Sequence, residues 1–191
     1  FRAGLTFALR FREPYKTHWI LNYELRRRPR NTQGSTRLGK WLVSYQDGTS
    51  LASMWSLQFL KRYNDFHPFR ADPVILDCGA NIGVSVLRYK QLFPQSHVIA
   101  FEPDPDLCKL LKKNMEQNEL HDVEVICAGI WKEDGVMNFR RHVMGDSQAG
   151  HLAAKGDNSE DDGSITISTD VVWLGKYLDQ QVDFLKLDIE G

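Results

Sequence analysis

"VILDCGANIGVSVLRYKQLFP", residues 74–94, decides how the rest of the chain is read. An aliphatic run meets Asp77, after which Gly79, Asn81 and Gly83 arrive within six positions, directly ahead of an amphipathic stretch. That order is a buried strand turning into a helix, the first half of a βαβ unit. In such a unit the turn lies at the carboxyl edge of the sheet, where the helix N-terminus offers unpaired amides and glycine lets a ligand approach the backbone. Dinucleotide-binding turns read G-x-G-x-x-G, whereas this one reads D-x-G-x-N-x-G and has no third glycine at the required place.

The pattern continues outward. Apolar runs at 74–78, 97–102 and 122–127 alternate with helical stretches at about 83–93 and 106–119, which predicts a Rossmann-like α/β fold with a doubly wound parallel sheet. Glu102 lies nineteen residues beyond Gly83 at the end of the second strand, a position from which a carboxylate accepts hydrogen bonds from a ribose diol. Pro103 and Pro105 keep the following turn extended, and Asp106 is placed to cap the second helix. Asp77 puts negative charge where a pyrophosphate would otherwise sit, so a cationic, amino-bearing nucleoside fits better. S-adenosylmethionine, with its sulfonium, ammonium and carboxylate, has that character.

Upstream of Pro73 the composition differs. Residues 1–40 hold ten Lys/Arg against two Glu, while residues 41–191 hold fourteen against twenty-three Asp/Glu. The run "LRRRPR" at 25–30 could meet a phosphate, an acidic glycan or a membrane surface but reads first as a solvated helix end, and nucleic acid is not expected as a partner. A helix is predicted at 16–28, stopped by Pro29. "WLVSYQDGTSLAS" predicts a hairpin turning at Asp47-Gly48, followed by a helix that Ser53 caps and that carries Trp55, Phe59 and Tyr63. Residues 1–72 therefore form a small helical and hairpin cover, and residues 73–191 the Rossmann-like domain. No apolar run approaches the ~18 residues of a membrane span. Cys78, Cys108 and Cys127 show no C-x-x-C pair, which favours reduced thiols in a cytoplasmic protein.

Beyond Trp131, "GVMNF" and "SITIS" predict an inserted hairpin around a polar loop, and Asp170 is placed to cap a helix bearing Val171, Leu174 and Leu178. The closing "VDFLKLDIEG" predicts a fourth sheet strand. Phe184, Lys186, Asp188 and Glu190 share one of its faces, with charge accumulating toward the carboxyl end where α/β sheets bind ligands. Asp188 is the catalytic or substrate-orienting candidate. An ion pair from Lys186 to Asp188 or Glu190 is the structural alternative, and a divalent metal on the two acids a lesser one. Because the chain stops at Gly191 after a core strand, the sheet is expected to be incomplete at its C-terminal end.

"LDCGANIG", "FEPDP" with the leucine-rich helix that follows it, and "DFLKLDIEG", in that order, resemble the FkbM-like family of S-adenosylmethionine-dependent methyltransferases with the class I fold. The resemblance covers roughly residues 70–191 and implies methyl transfer to an acceptor oxygen, usually on a sugar, glycan or natural product. It puts Asp77, Gly79, Ala80, Asn81 and Gly83 on the motif that holds the methionine portion, Glu102 and Pro103 at the ribose, and Ala128 and Gly129 at the adenine. Trp131 departs from the small polar or acidic residue usual there. His142 and His151, flanking Asp146 and Ser147, are weaker substrate-facing candidates, and no metal is assigned. A nicotinamide-dependent oxidoreductase and a non-catalytic nucleoside-binding domain are the competing readings.

Overall fold

A computed structural model describes residues 16–142, 150–153 and 164–189. The chain enters through a helix whose last turn is π-helical, Ile20–Leu25. A hairpin of β1 (Gly34–Leu38) and β2 (Trp41–Tyr45) follows, then helix α1 (Gly48–Trp55), which continues as a π-helical turn over Ser56–Leu60. The hairpin therefore turns at Gly39, whose φ of 60° suits glycine, and not at Asp47-Gly48. Asp47 instead caps α1, its side chain accepting from the Ser50 amide, so Ser53 lies inside the helix it was expected to cap. An Asp-Gly pair satisfies either role, and the strand partner decides between them.

Next come β3 (Val74–Cys78), α2 (Val84–Leu92), β4 (His97–Phe101), α3 (Pro105–Gln117) and β5 (Val123–Ile126). Asp104, not Asp106, caps α3, with Pro105 pre-set for the first helical position. A second sheet follows, from β6 (Gly129–Trp131), β7 (Gly135–His142), β8 (Gly150–Ala153) and β9 (Ser164–Trp173) in the order β6-β9-β7-β8. The helix expected after Asp170 is largely strand. Pairing of β9 with β7 along 164–171 outweighs the helical spacing of Val171, Leu174 and Leu178, and only Leu174–Tyr177 forms a 3-10 turn. Strand β10 (Phe184–Leu187) returns to the first sheet, which is wholly parallel in the order β10-β3-β4-β5. The strand order reverses between β3 and β10, a switch point at whose carboxyl side ligands of such sheets bind.

Alternation along the strands separates two apolar layers. Ile75, Val98 and Ala100 face α2, α3 and the N-terminal segment, in a cluster that also holds Leu25, Val43, Trp55, Leu87 and Leu111. Leu76, Cys78, Ile99 and Phe101 face the other way, against Ile130, Val172 and Tyr177. The outer edge of β2 is answered by α3. Asn114 accepts from the Ser44 amide and donates to the Ser44 carbonyl, and Asn118 does the same for Leu42, whose carbonyl Gln117 also reaches.

Cys108 on α3 and Cys127 after β5 are joined in a disulfide, contrary to the expectation of three reduced thiols. Cys78 is free and buried, its thiol pushed up to about 12, first by burial and then by the Asp77 charge. Disulfides persist in oxidising compartments, so the pairing removes the support that the cysteine pattern lent to a cytoplasmic protein. The bond closes a loop with a sequence separation of 19, for which roughly 2–4 kcal/mol of stabilisation is expected. Replacing both cysteines by alanine should therefore lower the denaturant midpoint. An unchanged midpoint would show that the pair contributes nothing. No helix among the described residues is long and apolar enough to cross a membrane.

Candidate functional site

The carboxyl ends of β3, β4, β5 and β10 surround a cavity of about 650 Å³, within the ~300–1,000 Å³ common for small-molecule sites. Its floor is the 79–81 turn, and one wall runs from Glu102, Pro103 and Asp104 through Leu107 to residues 128–131. Phe139, Arg141 and Leu152 close it from the second sheet, Lys186, Asp188 and Ile189 from the end of β10. The N-terminal segment supplies the remaining wall, with Arg26, Ser53, Leu57, Gln58 and Lys61.

Glu102 is only 4% exposed. Its two oxygens accept from the Asn81 amide at 2.8 Å and the Asp104 amide at 2.9 Å, which ties the glycine-bearing turn to the end of β4. Burial pushes its carboxyl from the ordinary 4.5 up to about 7, against the pull of these two amides and of Lys186. A raised folded-state value means that the group's contribution to stability is present below about pH 4.5 and lost as the pH rises through about 7. Glu102→Gln, which mimics the protonated form, should thus gain on the unaltered protein as denaturation is repeated from pH 5 to about 8. A gap that stays flat across that window would contradict the buried, up-shifted carboxyl.

Asp77 and Gly83 stand behind the cavity wall. Asp77 is fully buried; one oxygen accepts from Lys186 Nζ at 2.9 Å and the other from the Ser85 hydroxyl. Lys186 Nζ also donates to the Gly79 carbonyl at 2.8 Å and lies 3.5 Å from Asp188 Oδ2. Burial works against this ammonium, but the charge and hydrogen bond of Asp77, aided by Asp188, outweigh it and hold Lys186 above its ordinary range. The negative charge assigned to the turn from sequence is therefore already neutralised from β10. Gly83, at φ 89°, gives room for packing, since a Cβ there would meet Leu111 Cδ1 at 2.6 Å. Gly79, at φ 82°, lets the turn pass under β10, where a Cβ would meet the Asp188 carbonyl oxygen at 2.1 Å.

Structure brings Gly79, Ala80, Asn81, Glu102, Pro103, Ala128, Gly129 and Asp188 to one cavity, with Trp131 on its wall. Asp188 is exposed at the rim. Asp146, Ser147 and Glu190, and the side chains of His142 and His151, lie outside the described part. Arg141 was missed. It reaches from β7 to Asp104 at 2.7 Å and to Asp106 at 2.9 Å, locking the second sheet onto the start of α3 beside Glu102. No local signal marks it, because its partners lie 35 and more residues away. Arg26 and Lys61 were also missed, the run around Arg26 having been read as a solvated helix end.

A parallel α/β sheet carrying this cavity at its switch point is a nucleoside-binding type of domain. The methyltransferase FkbM domain model matches residues 77–191, and the chain belongs to that family. It is 28% identical over 150 residues to Methyltransferase 1 of Beauveria bassiana, covering 70% of this chain and 60% of that protein. It is also 28% identical over 135 residues to the 2-O-methyltransferase NoeI of Sinorhizobium fredii, covering 64% of this chain and 55% of that one. The chain thus spans little more than half the length of these curated relatives. Among solved structures, the FkbM methyltransferase of Methylobacillus flagellatus superposes with a TM-score of 0.47 at 19% identity, covering 72% of this chain and 30% of that one.

Proposed function

We propose that the protein transfers the methyl group of S-adenosylmethionine to a hydroxyl oxygen of a sugar, glycan or natural-product acceptor. The observation that carries this reading is the cavity itself, with a buried carboxylate, Glu102, hydrogen-bonded to the 79–81 turn at one side and an exposed carboxylate, Asp188, at the other. The residues present fit this cofactor: the cavity has the right size, its floor is a turn without bulky side chains, and Glu102 has lone pairs left for a ribose diol. Family membership supports the reaction class, and the relative described as a 2-O-methyltransferase supports oxygen as acceptor.

When bound, S-adenosylmethionine supplies an electrophilic methyl on its sulfonium. The chain's part is placement. Glu102 holds the ribose, Ala128 and Gly129 leave room for the adenine, and the 79–81 turn seats the methionine portion. Asp188, at the rim, would orient the acceptor hydroxyl and take up its proton as the carbon–oxygen bond forms and the methyl's carbon–sulfur bond breaks, leaving a neutral thioether. Lys186, anchored on Asp77, fixes the strand end from which Asp188 projects.

Equilibrium binding of S-adenosylmethionine and of NADH, followed by incubation with labelled S-adenosylmethionine and glycan or metabolite extracts, tests the reading. Binding of S-adenosylmethionine with label passing to an acceptor is expected. Binding of NADH alone would overturn the proposal, and tight cofactor binding without transfer to any acceptor would favour a non-catalytic domain.

A further inference from the structure

Charged groups on the cavity wall divide unevenly. Lys186 is bonded to Asp77, and Arg141 to Asp104 and Asp106. Arg26 and Lys61 also line the cavity, yet their side chains make no ion pair or hydrogen bond with any described residue. Both belong to the N-terminal segment, outside the matched residues 77–191.

Where they sit follows from the packing. With its adenine at 128–131 and its ribose at Glu102, as proposed above, S-adenosylmethionine would extend its remaining chain across the 79–81 turn, beside which Val84 and Ser85 of α2 also line the cavity. The continuation of α1 packs against that same helix: Arg88 of α2 lies over the Phe59 ring and pairs with Asp65, just beyond Lys61. Gln58, which is buried, and Ser53 line the cavity from this side too. On this side a ligand meets Arg26 and Lys61, neither of which has a side-chain partner among the described residues.

We propose that Arg26 and Lys61 bind the α-carboxylate of S-adenosylmethionine, so that the segment before the family domain completes the cofactor site. This deepens the methyltransferase reading and rests on it. The cavity's other cations, Lys186 and Arg141, are held by Asp77, Asp104 and Asp106, so the cofactor's carboxylate needs one that is not already engaged among the described residues. An arginine presents a planar fork of donors that matches a carboxylate, and a lysine adds a mobile point charge.

Titration calorimetry with S-adenosylmethionine and with its decarboxylated analogue, which differs only at this group, tests the assignment on the full chain. For the Arg26→Gln/Lys61→Gln variant the affinity for S-adenosylmethionine should fall roughly 10- to 100-fold, as for lost hydrogen bonds between charged groups, while the analogue changes less than about threefold. Arg26→Lys/Lys61→Arg should restore most of the loss. Equal losses on both ligands, or none on either, overturn the proposal. The second outcome, accompanied by a raised KM for the acceptor, would assign the two cations to the acceptor instead. If the unaltered protein binds neither ligand, the methyltransferase reading falls and this inference falls with it; binding by the unaltered protein with no difference between the ligands in the variant sinks this inference alone.

Discussion

Lys186→Met should lower the free energy of unfolding by about 3 to 5 kcal/mol, the range for removing one partner of a buried ion pair. Asp77 is fully buried, and Lys186 is the cation that compensates it. With the ammonium gone, the carboxylate keeps, among the described residues, only the Ser85 hydroxyl, which cannot replace a charge, and the Gly79 carbonyl loses a donor as well. Asp77→Asn/Lys186→Met should recover much of the loss, because the buried charge is then absent. Urea denaturation of the three proteins decides it. A cost below about 1 kcal/mol for the single variant would mean that the pair is screened by water and does not hold β10 to β3.

Asp188→Asn should cut methyl transfer by about 10²-fold or more, while binding of S-adenosylmethionine and the melting midpoint change little. Small stability effects are expected because the Asp188 side chain is 71% exposed and its contact with Lys186 is long, at 3.5 Å. Turnover of labelled methyl, normalised to folded protein, separates the roles. A marked fall in the midpoint with normal turnover would make Asp188 a fastening of the strand end and leave proton removal to another group.

Sequence and structure agree where the information is local. The aliphatic runs at 74–78 and 97–101 are buried on both faces, and a strand so buried cannot be placed at a wet surface, so the parallel core was legible. Glu102 was legible for the same reason, since the end of a central strand fixes where its next side chain goes. The partner of Asp77 was not legible, because Lys186 lies 109 residues later and the pairing is visible only once β10 lies beside β3. Cys108 and Cys127 sit on a helix and after a strand, and only the crossover brings their Cα atoms to 5.6 Å. For 171–178 the spacing was helical, but β7 offered backbone partners as far as Val171, and pairing outweighed periodicity.

The amides that α3 extends to β2 have a consequence for association. A strand flanked on one side only presents a row of free N–H and C=O groups, and such a row recruits strands from other molecules. In β2 those groups, at Leu42 and Ser44, are already engaged by Asn114, Gln117 and Asn118. A helix thus does the work of a third strand without offering a new edge of its own. Replacing these carboxamides with aliphatic residues of like size would leave the interior packed yet turn the hairpin into an adhesive border, so the first sign of damage would be aggregation at high concentration rather than a lost reaction.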